Sequence, residues 1–87
     1  MKEYDVIYYK KAEKELAEIN KKEARTIYDK ISQLKFDPHP QMAIKLKGHE
    51  YHRLRIGNYR AIYQIDERGC KIIIITIKHR SEVYNNL

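Results

Sequence analysis

Cysteine is nearly absent. Cys70 is alone among 87 residues, so neither an internal disulfide nor a cysteine metal cage can form. Glycine and proline are scarce, at three and two residues, against 43% hydrophobic and 34% charged residues. That balance excludes a disordered or low-complexity chain. The longest apolar run, IIIITI at 72 to 77, falls far short of the roughly 20 residues that cross a bilayer. The charged start MKEYD has no signal-peptide apolar region, and a cytoplasmic address without a membrane partner is expected. The length suits one small domain, residues 1–87, held together by packing. Acidic residues are few in the second half. Residues 1 to 43 carry 9 basic and 8 acidic groups, whereas residues 44 to 87 carry 9 and 4, which gives most of the net +6. Such a field attracts nucleic acid, an anionic surface or an acidic protein.

What is present reads as alternating strand and helix signals. EYDVIYYKK at the start fits a first strand. From Lys10 the period lengthens: Ala12, Leu16 and Ile19 recur at helical spacing, then Ala24, Ile27, Ile31 and Leu34. Asn20 followed by Glu23 has the form of an N-cap with a reciprocal acid, which divides the two helices. DPHP at 37 to 40 ends the second. In MAIKLKG, Met42, Ile44 and Leu46 alternate with Lys45 and Lys47, as in a half-buried edge segment. Strand candidates follow at 51–56, 59–66 and 71–78. The expected fold is α+β: an N-terminal strand, an antiparallel two-helix hairpin on one face, then a mostly antiparallel meander of about four strands and a short C-terminal segment.

The stretch YHRLRIGNYRAIYQID, residues 51 to 66, places three arginines around a turn. Gly57 and Asn58 suit a two-residue hairpin turn, and a three-residue bulged turn is the alternative that would shift the pairing. Ile56 then closes against Tyr59, Arg55 stands opposite Arg60, and Arg53 opposite Ile62. One face carries Leu54, Ile56, Tyr59, Ala61, Tyr63 and Ile65 toward the helices, and the other Arg53, Arg55, Arg60, Ile62 and Gln64. Like charges directly opposite cost up to roughly 1 kcal/mol. Two readings stay open: a solvated basic face, or guanidinium groups arranged to share an anion. Alternation in KIIIITIKHRSEVY groups Ile72, Ile74, Thr76, Lys78 and Arg80. If Lys78 and Arg80 join the arginines, one basic patch forms, with Tyr84 shortly after.

IKLKG, YHRLRIGNYRAIYQID, a strongly apolar strand and the terminal HRSEVY together resemble the RelE toxins of the RelE/ParE superfamily. The resemblance covers nearly the whole chain, and the GNYR turn and HRSEVY are its most specific parts. It implies a RelE-like fold and a ribosome-dependent, cofactor-free endoribonuclease that cuts messenger RNA in the aminoacyl site. It also implies a cognate RelB-like antitoxin, so that antitoxin, ribosome and mRNA are the expected partners.

Metal-free RNA cleavage requires a base for the 2′-hydroxyl, stabilisation of an anionic phosphorane and an acid for the departing 5′-oxygen. Arg60, in the family's turn, suits the second task, while Arg53 and Arg55 would bind flanking phosphates and Arg80 would clamp the scissile phosphate or its neighbour. Lys45, Lys47 and Tyr51 are further RNA-binding candidates. The best-known enzymes of the family have lysines where Arg53 and Arg55 stand, one of them thought to be the base, and arginine hardly serves that purpose. Lys78, His79 and Tyr84, and behind them His52, are the proton carriers that remain. A lysine crowded by arginines is expected to have a lowered pKa, and a tyrosine beside cations ionises more readily. Histidine exchanges protons near neutral pH, and some family members use one near this point, yet alternation turns His79 away from Lys78 and Arg80. Tyr84 and Lys78 come before it.

Tyr84 has a bland reading as an apolar anchor for the C-terminal segment. His49 and His52 in HEYH lack the helical i, i+4 spacing of a zinc motif, so no metal site is expected. The helical Lys and Glu residues read as solvated surface. Two other functions compete: a ParE-like poison of DNA gyrase, and a non-catalytic module that binds RNA or an acidic partner. The combination of Arg60, Arg80 and Tyr84 favours the nuclease.

Overall fold

β-branched and aromatic residues at the start of the chain form the first strand, and the segments with apolar residues every three or four positions form the helices. The computed structural model describes residues 2–48 and 50–82. Its elements are β1 (Asp5–Tyr8), α1 (Lys10–Ala17), α2 (Lys21–Ser32), a 3-10 turn (Gln33–Lys35), β2 (Ala43–Lys45), β3 (His52–Ile56), β4 (Tyr59–Asp66) and β5 (Lys71–His79). Asn20 caps α2 as its sequence suggests, its Oδ1 accepting from the Glu23 amide at 2.9 Å. The Glu23 carboxylate lies beside the Tyr59 hydroxyl of β4.

The sheet order is β1-β5-β4-β3-β2. β1 runs parallel to β5, and the remaining pairs are antiparallel. Both helices cover one face. Ala12, Ile27, Ile31 and Leu34 pack there against Leu54, Ile56, Ala61, Tyr63, Ile72, Ile74 and Ile77. Tyr59 and Ile65 border this core, half-buried. The α+β architecture is as expected, with five strands rather than about four because the MAIKLKG segment pairs as a strand of its own. Among the described residues no helix is long and apolar enough to cross a membrane.

Two expectations about facing are overturned. In β2 it is Ala43 that pairs with core-facing Leu54, while Ile44 pairs with Arg53. Ile44 therefore points away from the helices and is exposed, and Met42, just before the strand, is exposed as well. In β5 strict alternation fails. Tyr63 pairs with Ile74 but Ile62 pairs with Thr76, which leaves Ile75 as the extra residue of a bulge. Bulges invert parity along a strand. Ile72 and Ile74 before it, and Ile77 after it, all reach the core, whereas Lys78 changes sides.

Candidate functional site

The hairpin register is the one its turn dictates. Ile56 pairs with Tyr59, Arg55 with Arg60 and Arg53 with Ile62. Gly57 has φ of 57° and is the first central residue of the turn, the position where a type II′ turn requires positive φ. On the third strand, Lys78 pairs with Arg60. Arg55, Arg60 and Lys78 thus form one row across β3, β4 and β5, with Arg53 in the next row. The Arg80 amide donates to the Asn58 carbonyl at 2.7 Å, which ties the end of β5 to the hairpin turn.

Arg55 is exposed, while Arg53 and Arg60 are half-buried. The Nε atoms of Arg53 and Arg60 are shut off from solvent without a hydrogen-bond partner among the described residues. Ile62, which shares their face, is fully buried although it lies outside the helix-side core. The arginine stems therefore lie along the sheet, as long cationic side chains do over apolar ground. Among the described residues no carboxylate lies within 4.0 Å of Arg53, Arg55, Arg60 or Arg80; the ion pairs are Lys35–Glu3, His39–Glu67, Lys78–Glu15 and Lys78–Glu82. Guanidinium groups without a carboxylate partner among the described residues can take an anion through paired, charge-assisted hydrogen bonds.

Lys78 differs from the arginines. Its Nζ lies 2.8 Å from a Glu15 oxygen and 3.6 Å from a Glu82 oxygen. The hydrogen bond to Glu15 raises its pKa above the usual lysine value and outweighs the opposing effect of burial. This reverses the expected lowering: carboxylates, not arginines, dominate its surroundings. A lysine held protonated is a fixed cation or a proton donor, and a poor base.

His79 sits on the helix side. Its ring meets Tyr59 edge-on at 5.2 Å, and its Nδ1 is 2.8 Å from the Ser81 hydroxyl. Lys45 pairs with His52, and His52 stacks on core-facing Tyr63 at 5.3 Å. Lys45 therefore has helix-side parity and does not join the arginines. Burial, helped by His39 and Lys45, lowers the His52 pKa against the opposing pull of Glu50 and Glu67 and so favours the neutral ring. Lys47 is exposed in the β2–β3 connection, and Tyr51, half-buried, precedes β3 with the parity of Arg53. Tyr84 and His49 lie outside the described residues.

Sequence reasoning missed Glu15, Glu82 and Thr76. Glu15 was grouped with the solvated helix surface, yet its side chain is only 16% exposed. The available signal was its place on the buried stripe, three residues after Ala12 and four before Ile19. Glu82 stands at i+4 from Lys78 and bonds the His79 amide at 3.0 Å as well.

The family described as ParE toxin of type II toxin-antitoxin system, parDE, matches residues 6–84. No curated protein matches the sequence. Among solved structures, the chain is similar to one in the archaeal RelE-RelB complex from Pyrococcus horikoshii OT3: 29% identity over 95% of this chain and 100% of that one, with a TM-score of 0.81. It shares the fold of a chain in the RelB-RelE antitoxin-toxin complex from Methanococcus jannaschii, at 24% identity, 93% and 98% coverage and a TM-score of 0.73. The same holds for the intact E. coli RelBE complex, at 18% identity, 87% and 95% coverage and a TM-score of 0.77.

Proposed function

Because the chain belongs to the ParE toxin family of type II toxin-antitoxin systems and is a RelE-type toxin of the RelE/ParE superfamily, we propose that it is a ribosome-dependent endoribonuclease. It cuts messenger RNA in the aminoacyl site and is silenced by a RelB-like antitoxin. The observation that carries this reading is the cationic row Arg55–Arg60–Lys78 across β3, β4 and β5, with Arg53 beside it and Arg80 tied to the hairpin turn. The solved RelE-RelB and RelB-RelE complexes support the antitoxin.

The row suits an attack of the 2′-oxygen on the adjacent phosphorus, which forms a 2′,3′-cyclic phosphate as the bond to the 5′-oxygen breaks. Arg60 supplies a planar fork to the phosphorane oxygens. Arg53 and Arg55 hold flanking phosphates, and Arg80 clamps the scissile phosphate or its neighbour. Lys78, kept protonated by Glu15, stabilises charge on the departing 5′-oxygen and donates a proton to it. The alkoxide is far more basic than lysine, so the transfer is downhill. Tyr84, entering as its phenolate, is left as the acceptor of the 2′-hydroxyl proton. The side chains facing the substrate are cationic nitrogens, which repel a metal ion, and the reaction is metal-independent in this reading.

The ParE description of the family favours one competitor, a DNA gyrase poison. Purified protein is to be incubated with translating ribosomes and, separately, with gyrase and supercoiled plasmid. Cuts within A-site codons support the nuclease. Intact mRNA together with broken plasmid would establish the gyrase reading instead.

A further inference from the structure

β1 ends at Tyr8, and its last bond to β5 is Tyr9 N–H to the Ile74 carbonyl at 2.9 Å. From Thr76 onward, no strand among the described residues lies beside the outer edge of β5. Glu15 of α1 occupies this edge. Its Oε1 accepts from the Thr76 hydroxyl at 2.7 Å and from the Ile77 amide at 3.0 Å, and its Oε2 lies 2.8 Å from Lys78 Nζ. One carboxylate thus satisfies a strand amide, a hydroxyl that is otherwise buried and the ammonium of Lys78, the residue paired with Arg60 in the ladder.

We propose that Glu15 is the positioning residue of the cleavage site: it locks β5 just beyond the bulge and anchors the Lys78 ammonium at the helix-side end of the cationic row. The inference rests on the nuclease reading for its effect on cleavage. Three geometric facts support it. The bulge puts Lys78 on the arginine face, where Arg60 is its direct partner. The Lys78 side chain is 28% exposed, so it is held at the rim of the site and not extended into solvent. Thr76, the residue that shares Glu15, is almost fully buried.

The charged and titratable groups around Lys78 come from each packed element. Glu15 and Glu18 of α1, Tyr59 and Arg60 of β4, His79 of β5 and Glu82 beyond it all border its cleft or pair with it. Of the carboxylates, Glu15 makes the short bond, and Glu82 stands at 3.6 Å. Glu15 also offsets the repulsion between Lys78 and Arg60, so a row of like charges can form before any phosphate arrives.

The test uses Glu15→Gln, which keeps an acceptor oxygen for Thr76 and Ile77 but removes the charge. NMR titration of Lys78 Nζ in the free protein is expected to show its midpoint lowered by about one pH unit or more, the effect of losing an opposite charge at this range. The rate of mRNA cleavage at saturating ribosomes is expected to fall by up to roughly 10²-fold, the lower end of what one proton-transferring group supplies, with the half-saturating ribosome concentration unchanged. A folded variant with an unchanged Nζ midpoint overturns the proposal, and so does a lowered midpoint with undiminished cleavage. If the variant does not fold, Glu15→Asp, which draws the carboxylate back from Nζ, carries the same comparison with the same criteria. Wild-type protein that leaves ribosome-bound mRNA intact defeats the nuclease reading separately, because the titration needs no substrate.

Discussion

Lys78 stands directly across from Arg60 in the β4–β5 ladder, and its ammonium is drawn 2.8 Å from Glu15. Two cations on adjacent strands would repel. Here one of them is balanced from behind by a helix carboxylate, while the guanidinium has no carboxylate within 4.0 Å among the described residues. The face is therefore asymmetric: arginines without acidic partners among the described residues at the hairpin, and a neutralised lysine at the helix edge. That asymmetry sets what each substitution should do.

Arg60→Ala should reduce mRNA cleavage by about 10²- to 10³-fold, the scale for removing one donor to a developing oxyanion. Because its Nε is enclosed beside fully buried Ile62, a stability loss of about 1 kcal/mol accompanies it. Arg60→Lys restores charge but not the fork and should recover only part of the rate. Cleavage and urea unfolding measured on the same preparations separate the two effects. Full activity of Arg60→Ala would remove this residue from the site.

RNA affinity should fall with salt, at a log-log slope of about −0.7 per phosphate neutralised on a single strand. Arg53→Ala removes one such contact and should make the slope shallower by about 0.7. Lys45→Ala is the control, since its parity places it with His52 on the helix side. Titrations at several salt concentrations decide the matter, and equal slope changes for both variants would contradict the facing described for β2.

The two halves of the cationic row differ in how far the sequence revealed them. Gly57 and Asn58 fixed the Arg55–Arg60 pair because a two-residue turn leaves one register, and Asn20 announced the start of α2 through its side-chain oxygen. Lys78 was harder. In IIIITI every residue is apolar or β-branched, so no polar residue marks Ile75 as the unopposed one, and the bulge arises from the fit of β5 against β4. Counting parity from Ile72 and Ile74 would have placed Lys78 in the core. Glu15 was hidden for another reason: in KKAEKELAE one acid among many gives no sign that a strand edge needs an acceptor. β2, only three residues long, is too short for its pattern to decide which side faces in, and pairing with Leu54 and Arg53 decided it.

Glu15 should also shape the acid limb of stability. Burial raises its carboxyl pKa, but hydrogen bonds from Lys78, the Ile77 amide and Thr76 outweigh this, and the folded value lies below 4.5. A group depressed on folding contributes stability fully above its unfolded pKa and loses it as pH falls through the folded value. Wild-type stability should therefore drop from near pH 4.5 downward, and Glu15→Gln should start lower at neutral pH and fall less steeply. Urea midpoints measured from neutral to strongly acid pH test the sign. A steeper acid limb in the variant would show that the carboxylate is not stabilised by its donors.

Gly57→Ala tests the turn that holds the arginines together. A Cβ at Gly57 would meet nothing within 4 Å, so crowding is not the obstacle. The obstacle is φ of +57°, a left-handed conformation that costs an L-residue roughly 1–2 kcal/mol. At about 4–8 °C per kcal/mol for a domain of this size, the melting temperature should fall visibly. Asn58→Ala is the matched control, because among the described residues outside glycine only Cys70 has positive φ, and an exposed turn position without strain should shift stability by no more than about 0.5 kcal/mol. Function should follow stability only if the turn keeps its type. A one-residue slip would send Arg55 and Arg60 to opposite faces and break the row at its centre. Cleavage lost well beyond the unfolded fraction would reveal that slip, and equal stability of the two variants would show that Gly57 is not the strained position.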